Sequence, residues 1–209
     1  MIKTIVFDFG GVLLDLDMQR TFDRLSEVMG TTIKGNIRDG KFYDHYIKYE
    51  KGLIKDETIL WNIQRLSTTN PSPRDIVSAW NAMLLGWNPR RFDMLRNLKE
   101  QYQLILLSNT NHMHITWVLR DLKTNHNITE FESTFFDQVY YSHQIHLRKP
   151  DLDIYDFVSR KSSLDPTTTL FIDDSLPNIE SAKLYGWKAQ LHDPQIDIID
   201  SIHSYLAAY

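Results

Sequence analysis

The chain has 209 residues and contains no cysteine, which excludes disulfide bonds, thiol catalysis and zinc sites built from thiolates. It also lacks a long hydrophobic run, because no apolar stretch approaches the ~18 residues of a membrane span. Met1 leads directly into a strand-like segment, without the basic start and apolar middle of a signal peptide. We therefore expect a cytoplasmic protein without a membrane partner.

The sequence also lacks a large excess of either positive or negative charge. The 23 lysines and arginines nearly balance the 27 aspartates and glutamates, the net charge is -4, and no basic run stands out. This balance disfavours a nucleic-acid partner, so an anionic substrate would have to meet individual cationic side chains. Hydrophobic and charged residues make up 42% and 24% of the chain, which is typical of a folded protein. The composition leaves monomer and dimer equally open.

The first apolar segment of the chain ends in a carboxylate. Residues 5–7 are typical of a short strand buried on both faces, and Gly10-Gly11 predicts a turn directly after it. Asp8 therefore lies at the C-terminal end of the strand, where open parallel sheets place their ligand sites. Taken alone, Asp8 fits a strand cap as well as a functional residue.

The segment that follows has helical periodicity. Apolar residues recur at helical spacing after Asp17, a residue suited to cap a helix, and three more helical patterns come later. Residues 31–40 have a loop composition, and no strand-like run interrupts the helical patterns. We predict a helical bundle over residues 17–87, inserted into another domain. Its second helix is rich in aromatic residues from Phe42 to Tyr49, which could meet the organic part of a substrate.

Strands alternate with helices in the rest of the chain. From Asn88 onward, helical patterns separate short apolar strands expected at residues 104–107, 139–141, 169–172 and 188–191. Such alternation requires crossover connections and hence parallel strands. We therefore predict an α/β fold with a doubly wound, Rossmann-like parallel sheet, whose core domain comprises residues 1–16 and 88–209.

Several of these strands are followed by polar residues that suit phosphate and metal chemistry. They are Asp8, Ser108 with Asn109, Lys149 in a loop before a proline, and the pair Asp173-Asp174. Because parallel strands end at the same edge of a sheet, we expect these side chains to converge. Three carboxylates suit Mg²⁺, which prefers oxygen ligands, and a lysine would neutralise a phosphate. Each residue alone also has an ordinary structural interpretation, as a cap or a loop residue.

In this order, these residues resemble the four motifs of the haloacid dehalogenase superfamily. The resemblance covers essentially the whole chain, and the helical insert is similar to the α-helical cap of that superfamily. It is strongest in the segments around Asp8, Ser108, Lys149 and Asp173. These segments resemble the branch that contains alpha-D-glucose-1-phosphate phosphatase.

The resemblance implies roles for individual residues. Asp8 would be the nucleophile that forms an aspartyl-phosphate intermediate. The metal ligands would be Asp8, the backbone carbonyl of Gly10, and Asp174, with Asp173 as a further ligand or a supporting partner. The residues that bind the transferring phosphoryl group would be Ser108, Asn109, Lys149 and Gly11.

One position departs from the pattern of the superfamily. Its phosphatases carry a second aspartate two residues after the nucleophile, which protonates the leaving group, and this chain has Gly10 there. The candidates for a replacement acid are Asp15, Asp17, His112 and His114. An equally good interpretation makes Asp17 a helix cap and Asp15 a residue of the adjoining turn.

The function that we expect is Mg²⁺-dependent hydrolysis of a small phosphorylated metabolite, such as a hexose 1-phosphate. Two alternatives remain open. The protein could be a non-catalytic relative that binds a phosphorylated ligand or a protein partner. It could also be a 2-haloacid dehalogenase, since these enzymes lack the second aspartate too, although they use no metal and do not need the paired acids.

Overall fold

The computed structural model describes residues 1–32 and 41–209, without the side chains of residues 41 and 42. Most of the loop predicted at residues 31–40 therefore lies outside the described residues. The strands are β1 (Thr4–Phe7), β2 (Asp15–Leu16), β3 (Leu84–Gly86), β4 (Gln103–Ser108), β5 (Gln138–Tyr141), β6 (Thr169–Asp173) and β7 (Lys188–Leu191).

The helices of the described residues surround these strands. They are α1 (Met18–Met29), α2 (Lys41–Glu50), α3 (Asp56–Leu66), α4 (Pro73–Trp80), α5 (Arg90–Lys99), α6 (His112–His126), α7 (Phe131–Phe135), α8 (Ser142–Ile145), α9 (Leu152–Ser162), α10 (Leu176–Tyr185) and α11 (Ile198–Ala207). No helix among the described residues is both long and apolar enough to cross a bilayer.

Five strands form one parallel sheet in the order β5-β4-β1-β6-β7. This arrangement confirms the predicted doubly wound α/β core. β1 lies in the middle, and Phe7 pairs with Leu106 of β4 and Ile172 of β6. The residues that follow these three strands therefore come together at one edge of the sheet.

Both faces of the sheet are buried. Along β1, Ile5 and Phe7 pack into a cluster on one face, and Val6 packs into a separate cluster on the other. Since side chains alternate across a strand, an uninterrupted apolar run can contribute to both clusters. The sheet is thus covered by an apolar cluster on each face.

Helices α1 to α4, which we call the helical insert, have a hydrophobic cluster of their own. Leu25, Ile59, Ile63 and Ile76 are fully buried in it, and Met113 of α6 joins it from the side of the sheet. Asp17 caps α1 by accepting a hydrogen bond from the backbone N–H of Gln19 at 3.1 Å, as the sequence predicts.

A short antiparallel pair corrects one expectation. We predicted no strand between residues 18 and 86, but Leu84–Gly86 pairs with Asp15–Leu16 where the insert leaves and rejoins the sheet. A three-residue strand is too short to show periodicity, and its hydrogen-bond partners lie far away in the chain. The short helices α7 and α8 escaped prediction for the same reason of length.

Candidate active site

A buried lysine joins two of the predicted carboxylates. The Nζ atom of Lys149 donates to Asp8 Oδ1 and to Asp173 Oδ2, both at 2.7 Å, and to the carbonyl of Leu107 at 2.8 Å. Lys149 and Asp173 are 1% and 0% exposed. Asp8 follows β1, Asp173 ends β6, and Leu107 belongs to β4, so the parallel register brings all three groups together.

The loop that carries Lys149 is held by Asn109. The side chain of Asn109 donates to the Lys149 carbonyl at 2.8 Å and accepts from the Lys149 N–H at 2.9 Å. This double hydrogen bond links the segment after β4 to the lysine loop. Asn109 therefore positions the lysine through its side chain, which the sequence prediction had not included.

The paired acids differ in their surroundings. Asp173 accepts a hydrogen bond from the Ser175 N–H at 2.8 Å. Asn178 Nδ2 lies 3.0 Å from each of the two carboxylate oxygens of Asp173 and donates to them. With Lys149 added, both of its oxygens are engaged. Asp174, by contrast, is exposed at the edge of the site. Asp174 is therefore the more accessible of the two acids, and metal binding by either one stays a prediction.

The arrangement suits a hard divalent cation. Asp8, Asp173 and Asp174 each offer a carboxylate oxygen within 4.8 Å of the others. These oxygens match the ligand preference of Mg²⁺, and the three carboxylates exceed the charge of Lys149. The predicted metal residues thus lie together, and the carbonyl of Gly10 as a ligand stays a prediction.

The electrostatics of the cluster follow from burial and from like charges. Burial, followed by the charge of Asp173, raises the pKa of Asp8 to about 7, although Lys149 acts in the opposite direction. Burial and Asp173 also raise the pKa of Asp174. For Lys149, burial opposes the charged form, but Asp173 and Asp8 outweigh it and raise the pKa of the ammonium group. The carboxylates crowd one another and would be relieved by a cation.

The two glycines that follow Asp8 and Phe9 have different neighbours. Gly11 has φ +76°, and a Cβ atom there would lie 2.3 Å from Asp174 Oδ2. Only glycine lets the backbone approach Asp174 so closely. At Gly10, a Cβ atom would lie 2.4 Å from Leu16 Cδ1. The side chain of Leu16 thus occupies the space into which an acid at position 10 would extend.

A cavity of about 70 Å³ adjoins this edge of the sheet. Its walls bring together residues of the sheet edge and of the helical insert, among them Gly10, Leu16, Tyr46, Glu50, Ser108, Asn109 and His114. Ser108 and Asn109 therefore face the same space as the insert.

Sequence reasoning missed a polar group that the insert contributes to the cavity. Glu50 accepts hydrogen bonds from Arg148 Nη2 at 2.8 Å, from Arg148 Nε at 3.1 Å and from the Tyr46 hydroxyl at 2.7 Å. Burial raises the pKa of Glu50, and Arg148 opposes this shift. The only signal in the sequence was the aromatic segment of the second helix, which contains Tyr46.

The structure gives the predicted replacement acids other partners. Asp15 accepts from Arg91 at 2.7 Å, and the side chain of Asp17 caps α1. These contacts favour the interpretation of both residues as structural, and their role in proton transfer stays a prediction. His112 is exposed and contacts Asp56 of the insert at 2.7 Å.

His114 lines the cavity but is poorly suited to donate a proton. Its Nδ1 accepts from Asn111 at 3.1 Å, and its Nε2 donates to the carbonyl of Trp80 at 3.4 Å. Burial lowers the pKa of His114 to about 4. The imidazole is therefore neutral near pH 7, and its single proton is already used in a hydrogen bond.

Comparison with known proteins identifies the family of this chain. A family model for the haloacid dehalogenase-like hydrolases matches residues 2–186. The chain belongs to this family. The resemblance predicted from the sequence is thereby confirmed for the family, and the branch that contains alpha-D-glucose-1-phosphate phosphatase stays a prediction.

Relatives of this hydrolase family include proteins with a stated activity. D-ribitol-5-phosphate phosphatase of Bacteroides thetaiotaomicron is 28% identical over 196 residues, which cover 90% of each chain. A crystal structure of the HAD family enzyme bt-2542 from the same organism, in complex with magnesium and inorganic phosphate, has a TM-score of 0.82 and 30% identity. The match covers 94% of this chain and 97% of the bt-2542 chain.

A third relative is a HAD-like family hydrolase from Porphyromonas gingivalis. Its structure has a TM-score of 0.82 and 28% identity, covering 99% of this chain and 98% of that one. These similarities extend over nearly the whole chain, so the insert and the sheet are both shared with the relatives.

Proposed function

We propose that this hydrolase is a Mg²⁺-dependent phosphatase that cleaves a small phosphorylated metabolite through a covalent intermediate on Asp8. The observation that carries the proposal is the contact of Lys149 with Asp8 Oδ1 at 2.7 Å, beside two further carboxylates. Lys149 engages one oxygen of Asp8 and leaves Oδ2 for attack on phosphorus. Attack forms the bond from Asp8 to phosphorus and breaks the bond to the leaving group, and water then releases phosphate.

Asp8, Asp174 and the carbonyl of Gly10 are the residues that would hold the cation, with Asp173 in support. A bound Mg²⁺ supplies positive charge that lowers the repulsion between the carboxylates and the phosphoryl oxygens. Lys149 contributes a fixed positive charge at the same edge of the sheet. Ser108, Asn109 and Gly11 would bind the phosphoryl oxygens, and the cavity wall formed by Ser108 and Asn109 supports this assignment.

The helical insert, which we propose acts as the cap over residues 17–87, would enclose the leaving group. Its residues form one wall of the cavity beside Ser108, and closing a site in this way excludes water. The relative that acts on D-ribitol 5-phosphate supports a sugar phosphate or sugar-alcohol phosphate as the substrate class. Gly10 offers no acid to the leaving group, and general acid catalysis contributes roughly 10²–10⁴-fold. Substrates with a good leaving group, such as a hexose 1-phosphate, fit this deficit.

A panel of sugar phosphates and sugar-alcohol phosphates, assayed with Mg²⁺ and with EDTA, tests the proposal. We expect phosphate release that requires Mg²⁺ and that falls by at least about 10³-fold in Asp8→Asn, since the nucleophile is lost. Asp93→Asn is the matched control, because it removes the same charge from an exposed position on α5 and should keep full activity.

Two outcomes would replace the proposal by its alternatives. Binding of phosphate esters without turnover of any of them would indicate a non-catalytic protein. Release of halide from 2-haloacids in the presence of EDTA, without phosphatase activity, would indicate a dehalogenase. Equal phosphatase activity in the wild-type protein and in Asp8→Asn would rule out Asp8 as the nucleophile.

A further inference from the structure

The helical insert buries one carboxylate of its own. Among the residues that the structure describes, the buried carboxylates are Asp8, Asp173 and Glu50. The first two belong to the cluster around Lys149. Glu50 is 5% exposed, lies at the end of α2, and reaches the site from a different part of the chain. An ionised carboxylate is costly to bury, so its presence there needs a reason.

The partners of Glu50 favour its ionised form, against the effect of burial, and fix its orientation. Arg148 donates twice to Oε2, and the Tyr46 hydroxyl donates once to Oε1. A charge-assisted pair with a guanidinium favours the carboxylate form. Each carboxylate oxygen can accept two hydrogen bonds, so Oε1 keeps an unused acceptor position. Glu50 is therefore a preorganised acceptor.

Glu50 also belongs to the wall of the cavity at the edge of the sheet. Glu50 and Tyr46 line the same cavity as Gly10, Ser108 and Asn109. A phosphate bound at Asp8 would direct its organic part into this cavity, towards the insert. The neighbouring wall at Leu16 is apolar, so Glu50 is the charged acceptor that the insert offers there.

A purely mechanical role, as a clasp between insert and sheet, explains the pair less well. The next residue, Lys51, already bridges to the core at the surface. Its Nζ contacts Asp151 at 2.8 Å, and its carbonyl lies 2.8 Å from His146 Nδ1. These contacts hold the same part of the insert without burying a charge at the cavity.

We propose that Glu50 is a specificity-determining residue whose carboxylate accepts a hydrogen bond from a hydroxyl group of the leaving group. Arg148 and Tyr46 are its positioning residues. Because Glu50 neutralises Arg148, the pair offers no net positive charge to a second anionic group, and the cavity favours polyol and sugar monophosphates. This inference rests on the proposed phosphatase function and names the feature of the substrate that the insert recognises.

The test compares three phosphate esters in the wild-type protein and in Glu50→Gln. Ribitol 5-phosphate has leaving-group hydroxyls, p-nitrophenyl phosphate has none, and 3-phosphoglycerate carries a carboxylate. We expect Glu50→Gln to lower kcat/KM for ribitol 5-phosphate by about 10- to 100-fold, as for loss of a hydrogen bond to a charged group. Turnover of p-nitrophenyl phosphate should stay within about twofold of the wild-type value. The ratio of kcat/KM for ribitol 5-phosphate to kcat/KM for 3-phosphoglycerate should fall, because Arg148 loses its counter-charge.

Two further variants keep the test specific. Glu27→Gln makes the same substitution on an exposed face of the insert, where Glu27 pairs with Arg24, and should change none of the three activities. Tyr46→Phe removes one donor to Glu50 without changing charge, and should raise KM for ribitol 5-phosphate alone, by about three- to tenfold. If Glu50→Gln does not fold, Tyr46→Phe still tests whether Glu50 recognises a hydroxyl group of the leaving group.

Several results would overturn the inference while leaving the proposed phosphatase function intact. An equal loss of kcat/KM for ribitol 5-phosphate and p-nitrophenyl phosphate in Glu50→Gln would indicate that Glu50 only holds the insert against the sheet domain. No loss of kcat/KM for either ester would show that Glu50 does not contact the substrate. A changed acidic limb in the pH profile of kcat would make Glu50 a proton donor instead. If the wild-type protein hydrolyses none of the three esters, the proposed phosphatase function itself is in question. The panel of phosphate esters with the Asp8→Asn variant tests that function separately.

Discussion

At the scale of single residues, the charge of Lys149 organises the site. One ammonium group faces three carboxylates, which leaves two negative charges when all of them are ionised. A divalent cation balances this excess, and the lysine alone does not. Asp173 is hydrogen-bonded to Lys149, Asn178 and the Ser175 N–H, so it helps to hold the lysine in place.

Gly11 provides a prediction at this scale. In Gly11→Ala, the new Cβ would lie 2.3 Å from Asp174 Oδ2 at a φ of +76°, so Asp174 must move. We expect the Mg²⁺ concentration for half-maximal activity to rise by about 10- to 100-fold, the size seen when support of metal ligands is disturbed. Titration of phosphatase activity with Mg²⁺ measures the change.

Gly186→Ala is the matched control for this prediction. Gly186 also has a positive φ, +112°, but the nearest neighbour of a Cβ atom there is 3.7 Å away. Both variants should lose about 1–2 kcal/mol of stability from backbone strain. Only Gly11→Ala should change the Mg²⁺ requirement, and a change in both would mean that strain alone disturbs the site.

At the scale of elements, Arg91 ties three of them together. It lies in α5 and donates to Asp15 of β2 at 2.7 Å and to Asp197, the N-cap of α11, at 3.0 and 3.2 Å. Its side chain is 8% exposed. Partial burial acts to raise the pKa of Asp197, but hydrogen bonds from Arg91 and from the Ile199 N–H lower it. The network thus anchors the start of the helical insert to the sheet domain.

We expect Arg91→Met to lower the free energy of unfolding by about 2–4 kcal/mol, because the two carboxylates lose a partly buried partner. Urea denaturation measures the change. Arg24→Met, which removes an exposed i,i+3 pair with Glu27, should change stability by less than about 0.5 kcal/mol. Similar losses in both variants would contradict the role given to Arg91.

The pH dependence of this network has a definite sign. Because the pKa of Asp197 is lowered in the folded state, its contribution is complete above the ordinary value of 3.8 and is lost as the pH falls through the lowered value. The difference in stability between the wild-type protein and Arg91→Met should therefore shrink below pH 3.8.

At the scale of the whole molecule, the contact between insert and sheet domain is aromatic and neutral around His114. The imidazole packs against Trp80 of the insert, with ring centroids 5.9 Å apart, and hydrogen-bonds its carbonyl. A charge on His114 would be buried in this contact. Protonation should therefore separate the two parts of the molecule or unfold it.

The sign of this effect follows from the pKa of His114, which falls from 6.5 to about 4 on folding. The unfolded chain binds the proton more readily, so this residue reduces stability as the pH falls from 6.5 to about 4, by about 3 kcal/mol in all. We expect urea denaturation of His114→Gln to show a weaker pH dependence in this range. An unchanged slope would mean that His114 stays solvated or protonated in the folded protein.

The sequence by itself determined the parallel sheet and the cluster at its edge. Apolar runs followed directly by Asp8, Ser108 and Asp173 predict the cluster, because parallel strands end at the same edge whatever the details of packing. Local signals also placed the cap at Asp17, since an N-cap is defined within a few residues.

Only the tertiary structure decided which side chains of the insert line the cavity at the edge of the sheet. Glu50 and Arg148 are 98 positions apart, and no local pattern encodes their contact. Leu16 fills the space above Gly10 because β2 pairs with β3, which returns from the far end of the insert. Contacts of this kind depend on how the insert folds back over the sheet, so they follow from packing between distant segments and not from the order of residues.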